Sequence, residues 1–253
     1  MKKAYFLSDS HLGLGDDSPK REHDLVKFLD SISQDADTMV LLGDIFDFWF
    51  TYKHVVPKGY NRFIGRLALL SDSGVKMHYF IGNHDMWVFD YFQQEIGAVM
   101  HDAPEVLDIL GHRLLLGHGD GLEGSDPSYN FLKRVFRCSL NQRLFATLHP
   151  WIGFSIAKKW SGSSRQKHPL DGQDYRGDDH EGIFQYAQSR LQEEAFEYAV
   201  FGHRHGYVKR SLHCDVPPRD ALYLNVGNWI ERRNYAVLDD SGLHAEEFIP
   251  TSR

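Results

Sequence analysis

Short apolar runs recur along the chain, and each breaks off at a polar turn rich in Gly and Asp. Ala4–Leu7 ends at Ser-Asp-Ser-His, Met39–Leu42 at Gly-Asp, and Tyr79–Ile81 at Gly-Asn-His-Asp. Leu114–Leu116 ends at Gly-His-Gly-Asp, and Ala199–Phe201 at Gly-His-Arg-His. Runs this short, bounded in this way, predict buried strands. Between the first three lie apolar positions with a 3.6-residue period: Leu25, Phe28, Leu29 and Ile32, then Phe63, Ile64, Leu67 and Leu70. The alternation predicts an α/β fold in which helices cover a sheet. From about residue 125 to about 179 the strand pattern lapses. A helical stretch carrying Ile183, Phe184, Ala187, Leu191 and Tyr198 then leads into the strand at Ala199. Strands around Leu222–Val226 and Tyr235–Leu238 are expected to complete a second sheet. The pattern predicts one domain over residues 1–253, with a helical cap inserted at about 125–179.

In α/β sheets ligands gather beyond the carboxyl ends of the strands. Five separate strand ends here deliver Asp9 and His11, Asp44, Asn83, His118, and His203 and His205. Taken singly, each turn has an ordinary reading. An Asp after a strand caps a backbone N–H, Asn tolerates left-handed geometry, and a lone His is incidental. As an ordered set they point to metal. Two divalent ions ~3.5–4 Å apart clamp an in-line displacement at phosphorus, with one carboxylate bridging them. Mixed imidazole and oxygen donors suit Mn, Fe or Zn rather than Ca or Mg. Water on such ions has a strongly lowered pKa.

Composition narrows the picture. At 253 residues the chain can bury a substantial core, and the formal charge of -7 excludes a general nucleic-acid binder, which needs a basic surface. The two cysteines, Cys138 and Cys214, stand in no metal-spaced motif, as expected in a reducing compartment. The apolar run at Ala4–Leu7 is too short for a signal peptide, and no segment is long enough to span a bilayer, so a cytoplasmic protein is expected.

In this order, Asp-x-His, Gly-Asp-x-x-Asp, Gly-Asn-His-Asp, Gly-His and Gly-His-x-His resemble the calcineurin-like metallophosphoesterases from Asp9 to His205. The resemblance implies a four-layer sandwich of two β-sheets flanked by helices. It implies two divalent metal ions, one held by Asp9, His11, Asp44 and His205, the other by Asn83, His118 and His203, with Asp44 bridging. It also makes Asn83 and His84 catalytic, His84 lying beside the phosphate without ligating metal; a histidine that only orients Asn83 is the alternative. Asp47, Asp85 and Asp120 are expected to orient imidazoles.

The segment from Ser128 to Leu170 holds Lys133, Arg134, Arg137, Arg143, Lys158, Lys159, Arg165 and Lys167 with no Asp or Glu, and aromatics are interleaved. Leu132, Val135 or Phe136, Leu140, Leu144 and Leu148 keep helical spacing, which predicts a basic amphipathic helix suited to an anionic lipid surface. An ordinary solvated basic face is the alternative. The turns at Gly43–Trp49, Ser71–Val75 and His118–Leu122, with the insertion, are similar to the UDP-2,3-diacylglucosamine hydrolase branch of lipid A biosynthesis. That similarity implies a lipid-linked UDP-sugar substrate cleaved at its pyrophosphate, Mn²⁺ as the usual metal, and a peripheral position on the inner face of the cytoplasmic membrane. It aligns Asp126, Ser164, Arg165 and His203 with substrate contacts. The best-known members of the branch carry Arg where this chain has His84; a smaller group carries His. A phosphodiesterase acting on nucleotides, and a non-catalytic scaffold of the same fold, are the competing readings.

Overall fold

Along β1 (Lys3–Leu7), Tyr5 and Leu7 enter one apolar layer while Ala4 and Phe6 enter another. This is the two-residue alternation of a strand buried on both faces, and it explains why the run carries no polar interruption. In β2 (Ala36–Leu41), Met39 and Leu41 join Tyr5, and Val40 joins Phe6. The computed structural model describes residues 2–122, 127–167 and 177–250, without the side chains of 127–130, 158 and 160–167.

The first sheet has the order β11 (Gly242–Glu247), β10 (Asn234–Asp239), β1, β2, β3 (Lys76–Phe80) and β4 (Val99–His101). Its outer face is covered by α1 (Ser18–Ile32), α2 (Asn61–Asp72) and α3 (Tyr91–Ile96), through Leu25, Phe28, Leu29, Phe63, Leu67 and Phe92. The second sheet runs β5 (Glu105–Ile109), β6 (His112–Gly117), β7 (Tyr198–Phe201), β9 (Pro218–Asn225), β8 (Val208–Asp215). Leu114, Leu116, Val200 and Leu224 face the first sheet. Leu115, Ala199, Phe201 and Tyr223 face α7 (Gly182–Glu193), which contributes Ile183, Phe184, Ala187 and Leu191. The layers are helix, sheet, sheet, helix, as the family resemblance implied. β1, β2 and β3 are mutually parallel, and so are β6 and β7, so their carboxyl ends open on shared sites.

Three expectations are corrected. Tyr198 opens β7 instead of closing α7, which ends at Glu193. β10 does not extend the second sheet: it pairs antiparallel with β1, Val237 opposite Tyr5. A strand's own alternation fixes which faces are buried but not which edge it joins. The predicted single helix over Leu132–Leu148 is two helices, α4 (Pro127–Arg137) and α5 (Ser139–Ala146), broken at Cys138 with extended backbone. The break rotates the stripe, so that Phe136 and Phe145 pack inward while Leu140 and Leu144 face solvent.

With α6 (Pro150–Lys167) these helices occupy the described part of the insertion. They dock on the loops that follow β2 and β3: Phe136, Phe145 and Phe154 meet Phe48, Phe50, Tyr52 and Trp87. The Trp87 indole donates to Phe136 O at 2.9 Å.

Candidate metal centre

The backbone at the strand ends is unusual before any side chain is considered. Asp9, His11, Asp44, His203 and His205 all have positive φ, between 40° and 70°. Asp and His tolerate this region better than branched residues, but each such residue costs energy, and strain of this kind concentrates at functional sites. Two glycines make the crowding possible. A Cβ on Gly82 would collide with Asp44, and one on Gly202 with Ser8 Oγ and Asp9 Oδ2.

Two carboxylates divide their oxygens between structure and site. Asp9 Oδ2 accepts from the His203 N–H at 2.8 Å and from the Ser8 hydroxyl. Asp9 Oδ1 is buried with no hydrogen-bond partner, 3.3 Å from His205 Nε2 and 3.7 Å from His11 Nε2. Asp44 Oδ1 accepts from the His84 N–H at 2.8 Å. Its Oδ2 lies between two imidazoles, 3.4 Å from His118 Nε2 and 3.8 Å from His11 Nε2. The imidazoles are oriented too. His118 Nδ1 donates to Leu42 O at 2.7 Å and His84 Nδ1 to Asp47 O at 3.0 Å, which turns each Nε2 towards the site. Asn83 Oδ1 stands 3.2 Å from His118 Nε2.

Asp9, His11 and His205 form one group whose donor atoms all lie within 4.8 Å of one another; Asp44, His118 and His203 form another. A third, His11, Asp44 and His84, joins them. The residues fit a metal pair: the donors are mixed imidazole and carboxylate, and a buried carboxylate oxygen lacks any hydrogen-bond donor. The electrostatics agree. Burial disfavours charge on Asp9, yet the neighbouring imidazoles of His11 and His205 hold its carboxyl well below the usual range. Burial likewise opposes protonation of His11 and His118, but Asp47, Asp9 and Asp44 outweigh it and push the two imidazoles up to about 9 and about 10. Protons here stand in for the cations such an acidic cage attracts. His203 goes the other way, down to about 4, through burial and the neighbouring His118. His84 is also lowered, by burial first.

The structure thus brings together Asp9, His11, Asp44, Asn83, His84, His118, His203 and His205. Asp126 lies outside the described residues, as do the side chains of Ser164 and Arg165. Asp47 Oδ1 is 3.6 Å from His11 Nδ1 and 3.7 Å from His84 Nδ1, near imidazoles as expected. Asp85 is a correction: it binds backbone, accepting from Gly82 N at 2.9 Å and Ile45 N at 2.8 Å, and from the Tyr79 hydroxyl. It joins the second ligand turn to the third instead of orienting an imidazole. Asp120 pairs with Lys133 Nζ at 2.6 Å.

Sequence reading missed three braces. Buried Arg21 of α1 donates to Ser10 O and His11 O, both at 3.1 Å, and to Leu14 O, fixing the first ligand loop. Asn225 Nδ2 donates to Gly202 O and Asn228 Nδ2 to His205 O, the latter at 2.7 Å. The Asn-Val-Gly-Asn turn at 225–228 closes a buried strand as the five ligand turns do, and that signal marks it.

Beside Asn83 and His84 a cavity of about 310 Å³ leads under the cap. Among the described residues its wall is mostly apolar, formed by Phe48, Trp49, Met86 and Trp87 of the body and Leu132, Phe136, Phe145, Ile156 and Ala157 of the cap.

A buried cage of carboxylates and imidazoles where two layered sheets present their strand ends points to a metal-dependent phosphoesterase. The family model for calcineurin-like phosphoesterase matches residues 2–207, and the chain belongs to that family. Over 96% of its length it is 36% identical to a protein of Porphyromonas gingivalis named UDP-2,3-diacylglucosamine hydrolase, covering 97% of that protein. A Haemophilus influenzae protein of the same name is 26% identical, with 96% of this chain and 97% of the relative aligned. Among solved structures, Yfce, a phosphoesterase from E. coli, aligns at 16% identity over 95% of this chain and 90% of its own, with a TM-score of 0.45.

Proposed function

We propose that the chain hydrolyses the pyrophosphate of UDP-2,3-diacylglucosamine, giving UMP and 2,3-diacylglucosamine 1-phosphate. The observation that carries this reading is the mostly apolar cavity lined by Asn83 and His84 together with residues of the body and the cap. It suits a molecule with phosphate at one end and hydrocarbon at the other, where a phosphodiesterase for free nucleotides has no use for such a wall. Relatives bearing the name of this activity support it over 96% of the chain.

Within this reading Asp9, His11 and His205 would hold one divalent ion and Asn83, His118 and His203 the other, with Asp44 shared between them. When bound, such a pair would supply Lewis acidity and an activated water for displacement at phosphorus. The donor set suits Mn, Fe or Zn, and the likeness to the hydrolase branch favours Mn²⁺ among them. His84 keeps Nδ1 committed to Asp47 O and presents Nε2 to the phosphate, where it stabilises charge on the bridging oxygen or protonates it. His203 would also contact the phosphate, and Asp126, Ser164 and Arg165 would bind the glucosamine head group. The cap inserted at about 125–179 shields the acyl chains, and its exposed apolar and basic side chains rest on the inner face of the cytoplasmic membrane.

The test is assay of the purified protein with UDP-2,3-diacylglucosamine and Mn²⁺ in ¹⁸O-water. Cleavage with the label in UMP is expected. Label in the lipid product would reverse the orientation, and no cleavage of the lipid beside rapid cleavage of free nucleotides would sink the assignment.

A further inference from the structure

A pyrophosphate diester brings two phosphates to the site. The ligand cage and His84 account for the one that is attacked. The other stays attached to the sugar and becomes the leaving group, and nothing in the cage is assigned to it. On the proposed reading it lies between the cage and the acyl chains, in the cavity lined by Asn83, His84 and the cap.

Among the described residues lining the cavity, Lys133 is the only lysine or arginine. Its neighbours in that wall are apolar except for Asp47, Asn83 and His84. Lys133 belongs to α4, where Leu132 and Phe136 share the inward face, while Arg134 and Arg137 on the same helix are exposed. Its ammonium is held at one spot. Nζ lies 2.6 Å from Asp120 Oδ2 and donates to Asp120 O at 3.1 Å. Asp120 follows His118 by two residues, so this pair fixes the lysine beside the cage. The two contacts use two of the three donors of an ammonium. The third is uncommitted among the described residues, on a side chain only partly exposed to water.

We infer that Lys133 grips the phosphate that leaves with the sugar, so that it sets the preference for a pyrophosphate over a single phosphodiester. Asp120 positions it: a tethered ammonium loses little rotamer freedom when the phosphate arrives. A charge-assisted hydrogen bond in a partly desolvated wall is strong enough to discriminate between substrates with one phosphate and with two. The inference rests on the pyrophosphate reading above.

The experiment compares wild type, Lys133→Gln and Lys133→Arg, each loaded with Mn²⁺ and checked for an unchanged thermal midpoint. Activity is measured on UDP-2,3-diacylglucosamine and on bis(4-nitrophenyl) phosphate, which has one phosphate. Binding of the product 2,3-diacylglucosamine 1-phosphate is measured by calorimetry, independently of turnover. Lys133→Gln should lose about thirtyfold in kcat/KM on the pyrophosphate and about tenfold in product affinity, but no more than about threefold on the single diester. Lys133→Arg should recover most of the loss. Equal losses on both substrates, or undiminished product binding, would overturn the assignment and leave Lys133 as a latch for the cap. A wild type that cleaves the single diester and not the pyrophosphate would fail the functional reading itself, and this inference with it.

Discussion

Asp44 shows how a single side chain serves both the fold and the site. One oxygen is tied to the His84 N–H, and the other faces His118 and His11. The residue sits at φ 52°, a conformation held because Gly43 and Gly82 let neighbouring turns close upon it. The same buried carboxylates determine how the centre takes up metal. In the metal-free protein the surrounding carboxylates push His11 and His118 up to about 9 and about 10, which favours their protonated, non-ligating forms at neutral pH. Metal must expel those protons. Affinity is therefore expected to rise with pH between about 6.5 and 9, by about tenfold per pH unit for each proton released. The sign for stability is the reverse. Folded pKa values raised above the ordinary 6.5 stabilise the metal-free protein fully below 6.5, and that contribution is lost as pH rises through 9 to 10. Calorimetric titration of Mn²⁺ at three pH values, in two buffers of different ionisation enthalpy, counts the protons. Affinity independent of pH would contradict the argument.

At the scale of elements, the strands deliver the donors and the cap helices add the surface. Phe131 and Trp151 are 68% and 73% exposed, with Leu140 and Leu144 also outside. Arg134, Arg143 and Lys159 are exposed alongside them. Apolar and basic side chains presented together suit an anionic bilayer, where each basic residue contributes about 1 kcal/mol. Replacing Arg134, Arg143 and Lys159 together with Gln should weaken binding to phosphatidylglycerol vesicles by about a hundredfold. Hydrolysis of bis(4-nitrophenyl) phosphate should hardly change, because these side chains lie outside the cage and the cavity wall. Loss of both would mean that the basic residues support cap folding rather than membrane contact. The cap also shows the limit of periodicity: the spacing from Leu132 to Leu148 is helical, yet a break at Cys138 separates the stripe that packs from the one that does not.

Across the whole molecule, the centre joins the two sheets. Asp9, His11, Asp44 and Asn83 come from the first, and His118, His203 and His205 from the second. Ions bound between them act as cross-links present only in the folded state. Stripping metal with a chelator should lower the melting temperature by about 10 °C, and Mn²⁺ should restore it; an unchanged midpoint would mean that the cage does not hold metal across the sheets. This architecture was largely legible in the sequence, because strands buried on both faces read as apolar runs and the donors follow each run directly. Local chemistry was enough to single out the eight residues, Asp9 to His205, that the fold brings together at the strand ends. The sequence did not reveal what depends on contacts between distant segments. Arg21 reaches the first ligand loop from α1, and Asn228 holds His205 from a turn 23 residues away. Asp85 pins backbone rather than imidazole. β10 crosses to pair with β1. Periodicity and turn chemistry are properties of consecutive residues, so the chain by itself determined the strands, their buried faces and the polar residues that stand at the strand ends. Sheet edges, braces and the seating of the cap depend on which surfaces remain to be covered once those elements meet, and only the tertiary structure decided them.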